Sequence, residues 1–244
     1  MKVIINGALG RMGKEVTRLL SEGYRGASLF ARVDAFGGEE GVYTSIDQVE
    51  GKADVIIDFS NHSAAVELAN YAIKTGTPLV LATTGHTEGE LFAIHNAARS
   101  VPVFFSANMS LGVALLCRLA KEAAALYPDA DIEIVEKHHN RKLDAPSGTA
   151  LMIADAISEA RTDAKAVLGR SGQGKREKND IGIHAVRMGN IVGEHEILIG
   201  TDTETITLSH TAHSRSLFAE GAVVAASFLV GQGAGMYNMK DMLK

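Results

Sequence analysis

Along its first 109 residues the chain alternates short apolar runs with stretches in which apolar residues recur every three or four positions. Val3-Ile-Ile5 reads as a buried strand. After Asn6-Gly7 it gives way to a helix with Val16, Leu19 and Leu20 on one face. Residues 27–34 form a second run. Residues 53–59 form a third, whose near-continuous apolar centre suits a parallel strand covered on both faces. Ser60-Asn61 can cap a helix reaching Thr75, with Val66, Leu68, Ala69 and Ile73 inward, ended by Gly76-Thr-Pro78. Leu79-Val-Leu81 predicts a fourth strand, residues 88–99 a helix and residues 101–105 a fifth strand. Strands and helices alternating through short connections predict a doubly wound parallel sheet.

Beyond residue 110 the pattern changes. Leu111–Leu126 places Leu115, Leu119 and Ala123 on one helical face. Asp131-Ile-Glu-Ile-Val135 alternates polar and apolar, as a half-buried strand does, and residues 149–157 return to helical spacing through Leu151, Ala154 and Ile157. Residues 169–180 are Gly-rich and charged, too polar to pack, and are expected to be mobile. Residues 181–186, 191–199 and 204–210 read as strands that join residues 131–135 in a second sheet. Ser216–Leu229 predicts a helix with Leu217, Phe218, Val224 and Phe228 apolar, returning to the first domain, and the tail through residues 231–243 is expected to dock.

The first turn adds chemistry. Ala8, Gly10 and Gly13 occupy the three places of a G-x-G-x-x-G turn, with Gly7 just before, between a strand and a helix. Small residues let the backbone approach a pyrophosphate, and a helix N-terminus holds it. Asp34 ends the next strand, placed to accept from the ribose hydroxyls of an adenosine. A carboxylate there repels a 2′-phosphate, and Ala35 offers no cation, so the pair leans to NADH; Arg11 and Arg32 partly offset this, leaving NADH and NADPH both open. Residues 7–13, 59–60, 82–85 and 106–109 all fall at carboxyl ends of expected strands, the edge where such sheets bind ligands. The expected fold is therefore α/β: a Rossmann-like doubly wound parallel sheet (residues 1–109 and 215–244) plus a second α+β domain with a mostly β open sheet (residues 110–214).

Composition narrows the setting. A net charge of −5 argues against a general nucleic-acid binder, and no apolar run approaches the roughly 20 residues of a membrane span. A single cysteine, Cys117, excludes an internal disulfide and suits a reducing cytosol, and the apolar N-terminus is too short for a signal peptide, so a cytoplasmic location is expected.

Residues 136–150 are the densest in chemistry. Glu136, His138, His139, Arg141, Lys142 and Asp144 lie between the end of a strand and the start of a helix, with Pro146 just ahead of that helix and Ser147 as its expected N-cap. Cations beside a helix N-terminus make a site for an anion, here with Gly148 and Thr149 in the first turn. His138 can exchange a proton near neutral pH, and Lys142 can neutralise a carboxylate or donate a proton. If both histidines serve one site, the strand must end or twist by Lys137, because neighbours on a regular strand point to opposite faces. The same alternation, with no CxxC or HExxH spacing, sets a metal site aside.

These segments resemble the dihydrodipicolinate reductase family over essentially the whole chain. The signature H-H-x-x-K-x-D-A-P-S-G-T-A reads His138-His139-Asn-Arg-Lys142-Leu-Asp144-Ala-Pro-Ser-Gly148-Thr149-Ala150, and the turn G-x-x-G-R-M-G starts at Gly7. The resemblance implies NAD(P)H-dependent reduction of a cyclic dicarboxylate with loss of water, in lysine and diaminopimelate biosynthesis. It implies a proton donor/acceptor at His138, a proton donor at Lys142, and substrate contacts at His139, Lys142, Gly148 and Thr149. It implies cofactor contacts at Gly7, Ala8, Leu9, Gly10, Arg11, Met12, Asp34, Ala82, Thr83, Thr84, Ser106, Ala107, Asn108 and Met109, and a homotetramer joined through the second sheet. Two other readings compete. Another two-domain dehydrogenase of an aspartate-derived substrate, of the semialdehyde type, would need a reactive cysteine, and Cys117 sits in a helix pattern. A non-enzymatic NAD-binding sensor would need a DNA-binding or regulatory segment, and none is visible.

Overall fold

The computed structural model describes residues 1–243. It divides into two compact units, Met1–Ser110 with Ser216–Lys244, and Leu111–Arg215. The first holds strands β1 (Lys2–Asn6), β2 (Ser28–Val33), β3 (Val42–Tyr43), β4 (Val55–Asp58), β5 (Leu79–Leu81) and β6 (Pro102–Phe105), with helices α1 (Arg11–Ser21), α2 (Ala65–Thr75) and α3 (Glu88–Ala97) between them. The second holds α4 (Leu111–Leu126), β7 (Asp131–His138), α5 (Gly148–Ser158), β8 (Lys165–Leu168), β9 (Asp180–Arg187), β10 (Gly193–Gly200) and β11 (Thr205–Ala212). The chain then returns to the first unit as α6 (Ser216–Leu229) and β12 (Gly235–Tyr237).

The first unit is a seven-stranded sheet in the order β12-β6-β5-β4-β1-β2-β3. Every pairing in it is parallel. Strand alternation splits the apolar residues between its faces. Ile4, Ile56, Leu79, Leu81 and Val103 pack with Leu68, Ala69 and Ala72 of α2 and Ile94 and Ala97 of α3. Val3, Ile5, Val55, Ile57, Val80 and Phe104 are likewise fully buried, on the face where α6 lies across β4, β5 and β6 and packs against α1. The tail docks as expected, as the edge strand β12 beside β6.

The second unit is a mixed five-stranded sheet, β11-β10-β7-β9-β8, with β7 antiparallel to β10 and parallel to β9. Its core gathers Ile132, Ile134, Ile181, Ile183, Ile197 and Ile199 from the strands with residues of α4 and α5. The helix faces differ from the sequence expectation. Leu115, Leu119 and Leu151 are exposed, and the buried positions are Val113, Leu116, Cys117, Ala120 and Ala124 of α4 and Ala150, Ile153, Ala154, Ala156 and Ile157 of α5. Small side chains are what two helices need to approach each other and a sheet together, so the alanine-rich stripe turns inward. Val66 of α2 is exposed for the same reason, with Ala65, Ala69 and Ala72 inward.

Residues 169–180 also depart from expectation. Arg176 is mostly buried; its guanidinium donates to the Ile132 carbonyl at 3.1 Å and to Glu133 Oε1 at 3.3 Å, and Arg170 pairs with Asp180 at 3.2 Å. Those arginines fasten a polar loop to β7 and β9. Strand β8, which the sequence pattern does not single out, precedes it.

Candidate active site

In the first unit the strands bring five tips to one edge. Gly7 adopts φ +76°, and a Cβ there would lie 2.7 Å from Ser60 Cα; a Cβ on Gly13 would lie 2.1 Å from the Gly7 carbonyl oxygen. The turn therefore closes only on glycine. Helix α1 begins at Arg11, after an N-cap glycine, Gly10, with no side-chain cap and no acidic residue in its first turn, and the N–H groups of Arg11 and Met12 have no partner among the described residues. Bare N–H groups at the positive end of a helix dipole suit the pyrophosphate of a dinucleotide. Arg11 is exposed beside them, while Ala8 is buried.

Asp34 is placed differently from a free ribose acceptor. It is 5% exposed, its Oδ2 accepts from the Leu9 N–H at 2.9 Å and its Oδ1 from the Phe36 N–H at 3.1 Å. The carboxylate ties the Gly-rich turn to the end of β2. Asp58 does similar work at the sheet centre: fully buried, it accepts from Asn6 Nδ2 at 2.8 Å, Ser60 Oγ at 2.5 Å, the Ser60 N–H at 3.1 Å and Thr83 Oγ1 at 3.3 Å. Burial pushes its carboxyl above the usual range, against those hydrogen bonds. Three tips are thus pinned to one side chain. Thr83 is consumed in that network, whereas Ala82, Thr84 and Ala107 keep surface exposure. Ser106 Oγ donates to the Asn108 carbonyl at 2.7 Å, and Met109 is buried where α6 comes so close that a Cβ on Gly221 would meet the Met109 oxygen.

In the second unit β7 runs on through His138 rather than ending by Lys137. Ile132, Ile134, Glu136 and His138 share its buried face, which turns from apolar to ionic at its carboxyl end. The register sets His195 of β10 opposite Glu136 and Arg187 of β9 opposite His138. Glu136 Oε2 lies 2.5 Å from His138 Nδ1, and the Arg187 guanidinium donates to both carboxylate oxygens at 2.8 and 2.7 Å. Burial works against ionising Glu136, but Arg187, His138 and the Ser147 N–H together hold its carboxyl below the usual range. The His195 ring stands edge-on to His138 with centroids 5.2 Å apart; burial, then the neighbouring His138, press it down to about 4, so it stays neutral.

His139 leaves the strand: its N–H bonds the Ile191 carbonyl at 2.8 Å, and the Lys142 N–H returns to the His139 carbonyl at 3.1 Å, closing a turn. That turn is how consecutive histidines escape the up-and-down rule of a strand. Burial, then Arg141 and Arg215, lower the His139 ring below its ordinary value, and Arg215 Nη2 stands 3.4 Å from its Nε2. Lys142 Nζ pairs with Asp144 Oδ1 at 2.9 Å. Ser147 caps α5 as expected, its Oγ accepting from the Ala150 N–H at 3.2 Å and lying 3.1 Å from His195 Nε2. The helix opens at Gly148, one residue before the expected start, with Gly148 exposed and Thr149 half-buried.

The structure joins His138 through Glu136 to Ser147 at the start of α5, with His139 and Lys142 in the adjoining turn, and the motif reading misses the Glu136–Arg187 pair. Arg187 stands 51 residues from Glu136, and only the β7–β9 register joins them. Among the described residues no group of three or more His, Cys, Asp or Glu could hold a metal ion, and no helix is long and apolar enough to cross a membrane.

Comparison with known proteins accounts for both units. Residues 1–109 match the family model described as dihydrodipicolinate reductase, N-terminus, and residues 112–243 the one described as dihydrodipicolinate reductase, C-terminus. The chain is 48% identical to the 4-hydroxy-tetrahydrodipicolinate reductase of Caldanaerobacter subterraneus, over 100% of this chain and 98% of that one. It is 43% identical to the enzyme of the same name from Clostridium novyi, with the same coverage. Among solved structures, a dipicolinate-bound dihydrodipicolinate reductase from a Paenisporosarcina species superposes with a TM-score of 0.81 at 24% identity, covering 99% of each chain, a likeness of fold.

Proposed function

Because this chain belongs to the dihydrodipicolinate reductase family, we propose that its Gly-rich edge holds the dinucleotide and that the rim of residues 138–149 holds the substrate. The protein is an NAD(P)H-dependent oxidoreductase of lysine and diaminopimelate biosynthesis. It converts 4-hydroxy-tetrahydrodipicolinate, one reduced nicotinamide and one proton into tetrahydrodipicolinate, water and the oxidised nicotinamide. When bound, the nicotinamide supplies the hydride; the chain's own residues orient the dicarboxylate and manage the proton. The observation that carries this assignment is the Glu136 carboxylate, which joins His138 Nδ1 at 2.5 Å to the Ser147 N–H at 3.0 Å, at the capped N-terminus of α5. The first turn of α5, at Gly148 and Thr149, cradles one substrate carboxylate through backbone N–H groups and the helix dipole. Lys142 neutralises the same anion, and the neutral His139 ring hydrogen-bonds it. Lys142 delivers the proton, and His138 exchanges protons with it or with the substrate.

The direct test is oxidation of NADH and of NADPH with substrate made fresh by dihydrodipicolinate synthase. Absorbance loss at the nicotinamide band that depends on substrate is expected with both nucleotides, and none with either would sink the assignment. NADH is the preferred donor in this proposal, because Asp34 sets a negative charge at the end of β2 and Ala35 supplies no cation. Asp34→Ala should then weaken NADH more than NADPH, while loosening the Leu9 and Phe36 N–H groups for both. An unchanged ratio of the two dissociation constants would remove Asp34 from cofactor choice. A homotetramer joined through the five-stranded sheet fits the half-buried Val135 and Leu198 on the face away from α4 and α5; a single-chain mass in light scattering would exclude it.

A further inference from the structure

A carboxylate cut off from water must find its solvation within the protein. Glu136 is 0% exposed and finds it on three elements. Oε1 accepts from Arg187 Nη2 at 2.7 Å and from the Ser147 N–H at 3.0 Å. Oε2 accepts from Arg187 Nη1 at 2.8 Å and faces His138 Nδ1 at 2.5 Å. These partners fill the roughly four acceptor positions a carboxylate offers. A guanidinium keeps its protons at any working pH, so the carboxylate is ionised and the nitrogen facing it must carry a proton. The ring's other nitrogen, Nε2, then has its lone pair free for exchange. The absence of a side chain at Gly193 is what leaves room there, since a Cβ would sit 3.1 Å from Nε2.

Resting on the assignment of His138 to the proton step, we infer that Glu136, clamped by Arg187, is a positioning residue: it fixes the Nδ1–H tautomer of His138 and, through Ser147, locks that ring to the helix N-terminus that cradles the substrate. One buried carboxylate thereby sets the distance between proton exchange and anion binding. The other charged or titratable groups about the ring are Arg187 from β9, His195 from β10 and His139 from the loop after β7, with Lys142 bearing on both of those histidines.

Glu136→Gln separates orientation from bulk. The amide keeps its oxygen where Arg187 Nη2 and the Ser147 N–H both need an acceptor. Its NH₂ then meets Nδ1 and turns the neutral ring over to the Nε2–H tautomer, and the ring loses the anion that stabilises its protonated form. The expected result is at least about a tenfold fall in kcat, as for carboxylates that orient a reactive imidazole, with NADH affinity by fluorescence titration within about twofold of the parent. The alkaline limb of the kcat/KM profile should move to lower pH. A kcat within twofold of the parent together with an unmoved limb would overturn the inference. Should the variant fail to fold, ring ¹⁵N spectra of the parent chain decide without it, His138 signals being identified by their loss in His138→Gln: a protonated Nδ1 supports the proposal, and a bare Nδ1 with a protonated Nε2 overturns it. His138→Gln also keeps two failures apart. Parental turnover in that variant would remove the assignment of His138 itself. Lost turnover there with parental turnover in Glu136→Gln would remove only the role of Glu136.

Discussion

Substituting Lys142 by alanine is expected to lower kcat/KM by about 10²–10⁴-fold, the usual worth of a positioned proton donor, while NADH and NADPH bind as before. The separation follows from the architecture. Lys142 belongs to the second unit, in the turn after β7, and the bare N–H groups of α1 that suit a pyrophosphate belong to the first. Its ammonium lies 2.9 Å from Asp144, whose carboxyl is held below the usual range chiefly by that hydrogen bond. Asp144 therefore stays charged through the neutral range and holds the ammonium in the loop between β7 and α5. Lys142→Arg makes the control. It retains the cation but has no proton to give at neutral pH, so it should recover substrate binding and little of kcat. Stopped-flow single turnovers with both nucleotides measure this, and parental turnover in the alanine variant would remove Lys142 from the chemistry.

The second large effect is expected from one methyl group. Gly13→Ala sets a Cβ 2.1 Å from the Gly7 carbonyl oxygen and 2.7 Å from Ala8 Cα, both backbone atoms that no rotamer change can clear. The turn must open or α1 must slide. Overpacking of this kind costs about 1–3 kcal/mol, a loss of several degrees in Tm at this chain length. The dinucleotide suffers more than the fold, because a displaced helix no longer aims its first N–H groups at the pyrophosphate. Dissociation constants for NADH and NADPH should both rise by at least about tenfold, roughly 1.4 kcal/mol, and their ratio should hold. Unchanged affinity alongside an unchanged melting temperature would refute the reading of the turn.

The two substitutions probe parts of the molecule that were unequally legible. Strands such as Val3-Ile-Ile5 and Leu79-Val-Leu81 announce themselves, because a parallel strand covered on both faces must be apolar throughout. The signature from His138 to Ala150 gathers the expected site residues into one run of sequence. Helix faces were less readable: Leu115, Leu119 and Leu151 look like core, yet Ala120, Ala124 and Ala154 are inside, since close packing selects for size as well as for hydrophobicity. The edge strands β3, β8 and β12 are too short to show a period and exist because a neighbour offers a ladder. Asp34 stood where a ribose acceptor belongs, but its two main-chain partners follow from the fold of residues 9 and 36 around it. The Glu136–Arg187 pair could not be read at all from spacing, because it is a product of strand register.

The return of α6 and β12 to the first sheet has a consequence for how the protein is made. Residues 1–110 emerge from the ribosome with one sheet face able to bury itself under α2 and α3, while the face carrying Val3, Ile5, Val55, Ile57, Val80 and Phe104 waits for a helix about a hundred residues downstream. At roughly 5–20 residues per second that wait lasts about 5–20 s. Meanwhile residues 111–215, whose sheet, helices and buried ionic cluster are all encoded in one uninterrupted stretch, can finish first. The nascent chain thus holds a completed second unit while its first still exposes an apolar flank, the interval in which a chaperone has something to bind.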